Sequence, residues 1–249
     1  WTGGDGNWSD ATKWDANTIA QGIDKSATFN GLTPVTATVD TGRPIGALLF
    51  SGANHTIAAG AGNLTLDSDT IFTTPAVAVA NGITATISAL LAGSEGMTKT
   101  GTGTLVLSGS RTYSGTTDIT EGAVRYQGGA YATNFHSIAS GAVLDFNVPT
   151  GTYDGAATTF AGAGTLRKTG AGGVVWGPSA ATFALDPGAL IDVQEGTFTG
   201  GSYSNESWSG NLSDLNVAAG ATFAGVEANV RVDGLTGSGT ITSGYAVGY

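Results

Sequence analysis

No cysteine occurs among the 249 residues, which removes both a disulfide framework and a thiolate metal site and leaves stability to backbone pairing and packing. Charge is scarce as well. Only 11% of residues are charged, against about 25% in an ordinary soluble protein. Nine basic residues stand against nineteen acidic ones, for a net charge of −10, and no basic cluster exceeds Arg167-Lys168. Such a chain has little with which to neutralise a phosphate backbone, so nucleic acid is not an expected partner. No run approaches the ~18 apolar residues a membrane-spanning helix needs. A charged-then-apolar leader is also missing, and the first residue is Trp1 rather than Met, which reads as a mature chain or an excised module without its targeting segment. Proline is rare, and Pro149, Pro178 and Pro187 sit beside Gly or polar residues where corners are expected.

What is plentiful is glycine, 41 residues, within a chain that is 41% apolar with a mean hydropathy of +0.10. That is too apolar and too weakly charged for disorder. Thr, Ser and Asn therefore have to cover most of the surface. From Ser26 to Leu91 short runs such as TATVD, ALLFSG, NLTLDS and ATISAL alternate with Gly, Asn or Asp. These residues accept the left-handed backbone of tight corners. Between 94 and 127, Leu105 and Leu107 face one way while Thr104, Val106 and Ser108 face the other, the period of a half-buried strand.

Self-similarity organises these strands. Lys99-Thr100-Gly101 returns 69 residues later as Lys168-Thr169-Gly170, and a Gly-x-Gly-Thr-Leu/Ile element begins at Gly101, Gly162 and Gly237. SGAVLDFN from 140 and PGALIDVQ from 187 are offset by 47 residues, two rungs of about 23. The expectation is an all-β, right-handed parallel β-helix, a solenoid of about ten coils, forming a single domain over 1–249. Residues 1–25, with Trp1, Trp8 and Trp14 in a Gly/Asp-rich setting, form its N-terminal aromatic-rich cap, since an open solenoid end exposes its interior and its strand edges. Sugar stacking is the other use open to these three rings.

Residues 96–124 closely resemble the autotransporter-associated β-strand repeat, whose pattern runs G-x-L-x-K-T-G-x-G-T-L-x-L-S-G-x-N-T-Y-S/T-G. Met97, Arg111 and Val124 depart from it, and a later copy from Gly162 to Phe198 keeps GAGTLRKTG but loses the Tyr-Ser-Gly corner. The resemblance implies a right-handed parallel β-helix exported from a bacterium, secreted or held at the cell surface. The general look of the chain is also similar to β-helical xylan-binding carbohydrate-binding modules, although no ligand motif carries that likeness.

Catalysis finds little support. Glycoside hydrolysis needs two carboxyl groups at a defined separation, yet most acidic residues, Asp15, Asp24, Asp40, Asp154 and Asp214 among them, occupy turn-like positions. Asp67 and Asp69 form the best pair, and solvation of a turn is the plainer role for them. His55 and His136 neighbour no convincing nucleophile. Asp5, Asn7 and Asp10 in GGDGNWSD could offer oxygen ligands to a structural calcium ion near Asp5. The Gly/Asp pattern occurs once rather than in tandem, so an ordinary turn is expected and no cofactor is assigned.

The function expected from these residues is non-catalytic binding of a plant polysaccharide, most naturally xylan, by rings and polar groups on the solenoid. Tyr131 and Tyr153, 22 residues apart, and Tyr203 and Trp208, in the polar stretch GGSYSNESWSG, are the candidate platforms. Asp154, Asn205 and Glu206 are their polar companions. Trp176, Tyr126 and Tyr113 are expected in the core. The chain could be attached to a catalytic or surface-anchoring domain. The alternative is a passenger segment of autotransporter type, acting as a stalk or adhesin, and a β-helical lyase or hydrolase is a third class.

Overall fold

A computed structural model describes residues 1–69, 71, 73–130, 135–176, 181–200, 208–225 and 229–242. The chain is an all-β parallel β-solenoid of about nine turns among the described residues, with almost no helix and two short 3-10 turns near its start. It divides into two compact units, Trp1–Thr133 and Asn134–Tyr249.

In the first unit three faces recur. One carries the parallel strands Thr36–Val39, Thr56–Ala59, Thr84–Ile87, Thr104–Leu107 and Ala123–Tyr126. Its inward row is Ala37, Ile57, Ile87, Leu107 and Tyr126, all buried, while Thr36, Thr56, Thr86, Val106 and Arg125 line up on the opposite side, of which Val106 is also largely covered at 7% exposure. The alternation expected for Leu105 and Leu107 is thus present. A second face stacks the end of Gly22–Phe29 on Arg43–Phe50, Ala76–Val79, Met97–Thr100 and Thr117–Ile119. The third is narrower, with Asn63–Leu66 against the start of Arg43–Phe50 and against Leu90–Ala92.

The strand Arg43–Phe50 serves two faces. Arg43–Ile45 pairs with Asn63–Leu66 and Ala47–Phe50 pairs with Ala76–Val79. It bends at Gly46, where a Cβ would lie 2.7 Å from the Asp24 Cα. Pro44 lies inside this strand, so proline is not confined to corners.

The second unit stacks Val143–Asn147, Thr165–Thr169, Leu190–Val193, Asp214–Val217 and Leu235–Gly237 on one face. Asp145 and Asp192 are two rungs apart in this stack, as the 47-residue offset requires. A second face holds Phe135–Ile138, Thr159–Gly162 and Thr182–Leu185, and a third runs from Thr152–Gly155 through Gly173–Trp176, Thr197–Thr199 and Thr222–Ala224 to Thr240–Thr242.

Rings fill the interior here. His136, Phe160, Phe183 and Trp208 stack in sequence with centroid separations of 5.2, 5.6 and 4.1 Å. Trp176 packs on Phe198 and Phe198 on Phe223. Each buried ring contributes about 2–3 kcal/mol of transfer free energy. In parallel stacking like residues meet at every rung, so one aromatic favours another directly above it.

Trp1, Trp8 and Trp14 are 7%, 0% and 4% exposed and close over Phe29, which itself stacks on Phe50. The three rings are interior, packed on Phe29, and are not available for sugar stacking.

Candidate functional site

The repeat is built around a charge placed inside the core. On the inward row Leu48, Val77, Lys99 and Ile119 of the second face, Lys99 replaces an aliphatic residue and is fully buried. Its stem packs in the row, and its Nζ donates to the carbonyls of Thr100, Gly101 and Glu121 at 2.9, 2.6 and 3.2 Å. These oxygens lie at the end of the strand Met97–Thr100 and in the corners that follow it and Thr117–Ile119. Burial brings the ammonium pKa down from 10.5 to about 8, with the Glu121 carboxylate pulling the other way.

Lys168 in the second unit repeats the device. Its Nζ donates to Thr169, Gly170 and Glu195 carbonyls at 2.7, 2.7 and 3.2 Å, and burial likewise brings its pKa to about 8. The Lys-Thr-Gly recurrence is therefore a recurrence of mechanism. The glycine after each lysine has positive φ, +72° at Gly101 and +79° at Gly170, and a Cβ on either would lie 2.4 Å from a carbonyl oxygen of the neighbouring rung. That geometry excludes every other residue without rearrangement.

Arg111, which departs from the repeat pattern, is a third buried cation. Nη1 donates to Leu107, Gly109 and Gly128 carbonyls and Nη2 to Gly129, while the guanidinium lies 4.1 Å from the Tyr126 ring centroid. Tyr113 bonds Thr117 Oγ1 at 2.7 Å beside it. Burial pushes both phenols upward in pKa, Tyr113 well above its usual value. Tyr113, Tyr126 and Trp176 are all interior, as expected of them.

Beside the apolar rows, the most organised polar feature is a partly buried row on the second unit: Asp145, Arg167, Asp192, Asn216 and Thr236, one residue per rung. Arg167 Nε donates to Asp192 Oδ2 at 3.0 Å, and Asn216 and Gln194 donate to Asp192 Oδ1. Thr169 Oγ1 donates to Asp145 Oδ1 at 2.8 Å. Sequence reasoning missed this row, although the 47-residue offset already placed Asp145 over Asp192 and Asn147 over Gln194. Asp145 and Asp192 are only 2% and 4% exposed, so these bonds tie successive rungs to one another rather than offering charges to a partner.

Among the described residues the expected ligand platform is not found. Trp208 is 0% exposed, stacked on Phe183 with its Nε1 donating to the Gly200 carbonyl. It is a core residue because the ring row beneath it continues through it, and it cannot offer a face to sugar. Tyr153 is half-buried against Phe146, and Asp154, its neighbour, is exposed. Tyr131, Tyr203, Asn205 and Glu206 lie outside the described residues.

The other polar candidates have local duties. Asp67 and Asp69 flank a clamped loop, with Asp69 N–H donating to Asp24 Oδ1 and Ser68 donating to Glu95 Oε2 through both N–H and hydroxyl. His55 bonds the Ser51 carbonyl and His136 the Thr158 hydroxyl, both rings buried. Asp5 accepts from Thr36 N–H and Asp10 from Thr12. No group of three potential metal-ligating side chains occurs among the described residues, nor any helix long and apolar enough to cross a membrane.

Comparison with known proteins points to one class. Residues 97–125 match the Passenger-associated-transport-repeat family. The chain is also 34% identical over 162 residues, 60% of its length, to the Adhesin BmaC autotransporter of Brucella suis biovar 1 (strain 1330). It spans only 4% of the length of that protein. No solved structure matches.

The family match bears out the repeat resemblance on the residues that carried it, and the chain is extracellular, secreted or held at a cell surface. The same two findings overturn the expectation of a polysaccharide-binding module for xylan. Both matches are to autotransporter material, and neither the likeness to carbohydrate-binding modules nor a polysaccharide partner has support.

Proposed function

We propose that the chain is a passenger segment of an autotransporter-type surface protein, a non-catalytic solenoid that acts as stalk or adhesive surface within a longer polypeptide. The observation that carries this reading is the repeat at 97–125. Its family signature coincides with the elements that hold the solenoid together, the Lys99 corner bonds and the Gly101 corner. The similarity to a protein named as an adhesin supports contact with another surface. A non-enzymatic role is supported by the duties of the polar groups: the acids and histidines with hydrogen bonds described above are engaged in corners, clamps and the Asp145–Thr236 row.

Beads coated with the purified chain, applied to host-cell and bacterial-cell layers, test adhesion. Retention above beads coated with an unrelated β-solenoid is expected, and equal retention on every layer would leave only the stalk. Fusing the chain ahead of an outer-membrane translocating barrel tests the passenger role. Degradation by protease added to intact cells is expected, and full protection in cells that expose a control passenger would end the proposal.

A further inference from the structure

Asn-Gly occurs twice in the chain, at Asn30-Gly31 and Asn81-Gly82. Both pairs are exposed and follow strands of the same face, Gly22–Phe29 and Ala76–Val79. In each, the residue after the asparagine has no Cβ to keep its nitrogen away from the asparagine side chain. What lies over them differs. Gly52 of the following rung covers the first pair so closely that a Cβ there would lie 2.6 Å from the Asn30 carbonyl oxygen and 2.5 Å from that of Gly31. The second pair is the tip of a turn closed by Ile83 N–H donating to the Ala80 carbonyl at 3.1 Å. Gly103 of the next rung sits over the Ala80 and Ile83 carbonyls on either side of that tip, and nothing lies within 4 Å of the place a Cβ on Gly82 would take. Thr102 Oγ1 donates to Asn81 Oδ1 at 3.3 Å, the oxygen that gains charge when Cγ is attacked.

We propose that Asn81 is a site of spontaneous deamidation, with water as the reactant, and that the fold selects it over Asn30, whose peptide is held beneath the next rung. The Gly82 nitrogen attacks Asn81 Cγ: the N–Cγ bond forms, the Cγ–Nδ2 bond breaks, and ammonia leaves with the Gly82 proton. Water then opens the cyclic imide. Attack at Cγ leaves aspartate, whereas attack at the former backbone carbonyl leaves isoaspartate, whose main chain runs through Cγ and is longer by a methylene. Either product turns a neutral corner anionic. Only isoaspartate strains the fold, because the lengthened corner lies under Gly101 and Gly103, where Cβ positions are already 2.4 Å from the Val79 oxygen and 2.2 Å from the Ala80 oxygen. Both glycines belong to the matched repeat at 97–125, so the reaction loosens the rung interface that the repeat builds. The inference stands whether or not the chain adheres to anything.

The test incubates the full chain at mildly alkaline pH and follows both asparagines by peptide mapping with mass spectrometry. Asn81 should convert at least ~10-fold faster than Asn30 in the folded chain, and the two should convert at nearly equal rates in concentrated urea. The aged chain should melt at least ~2 °C below the fresh one. Freshly prepared Asn81→Asp, which carries the charge without the added methylene, should keep the parent Tm, and so should Asn81→Gln aged alongside. Equal conversion of the two asparagines in the folded chain, faster conversion of Asn30, or a ratio that urea leaves unchanged would overturn selection by the fold. An Asn81→Asp chain that melts as low as the aged parent, or an aged Asn81→Gln chain that falls with it, would overturn the lengthened corner.

Discussion

Replacing Lys99 by Met keeps the length and apolar stem of the side chain while removing its three donors, and so isolates the corner bonds. Two effects oppose each other. Relief from burying a charge favours Met, as it does for some buried ion pairs. Against it, the Thr100, Gly101 and Glu121 carbonyls lose their ammonium partner. Each orphaned acceptor costs about 1–3 kcal/mol when water cannot reach it. These oxygens are partly buried, so the low end applies, and a net loss of about 2–3 kcal/mol is expected after the relief is discounted. At about 2–4 °C per kcal/mol for a chain of this size, the Tm should fall by about 5–10 °C. Lys168→Met should lose a similar amount, and since the two lysines share no partner, the double variant should lose about the sum. Lys25→Met, at an exposed position, is the control and should stay within about 0.5 kcal/mol. Scanning calorimetry with urea titration measures all four. A Lys99→Met chain as stable as the parent would refute the idea that the lysine solvates the corner.

The same lysines set a pH dependence. With the folded pKa near 8 and the ordinary value 10.5, the folded chain holds fewer protons than the unfolded one between those values, so stability should rise across that window. The Tyr113 and Tyr126 phenols are raised above 10, so stability should fall again once unfolded tyrosines ionise. Tm measured from pH 7 to 11 should therefore pass through a maximum near pH ~10, and the rising limb should vanish in the double Met variant. A monotonic fall from pH 7 would contradict the assignment. Gly162→Ala, at φ +98° with a carbonyl oxygen 2.3 Å from the new Cβ, should cost at least about 2 kcal/mol more than Gly141→Ala, which has φ +82° but open space. Equal losses by urea titration would show that backbone conformation alone accounts for the glycine. Trp208→Ala should cost about 3–5 kcal/mol and quench tryptophan emission from a buried environment. A neutral result would mean that the ring is not part of the stack.

Much of the fold was legible because parallel stacking writes itself into sequence locally. The alternation at Leu105 and Leu107, the Gly-x-Gly corners and the 47-residue offset each encode contacts with an adjacent rung, at a nearly constant spacing. The excursion around 67–75 broke that regularity: the step from Ile57 to Ile87 is 30 residues, longer than the rung expected. The site was less legible. Trp208 sits among Ser, Asn and Glu and reads as a loop platform, but its burial is decided by Phe183 one rung away. Lys99 and Lys168 were visible as a recurrence, yet their direction was not, because a lysine's default is solvent and only the inward rows with Val77 and Phe146 reveal that these point inside. Arg111 was noted as a departure from the pattern, and the same three-dimensional context turns it into a corner donor.

Hiding Lys99, Arg111 and Lys168 withdraws three of nine basic side chains from the outer skin. The molecule thus greets its surroundings as a more uniformly anionic body than its formula suggests. Copies of the chain brought close together would repel one another, and that repulsion would fade as salt is raised.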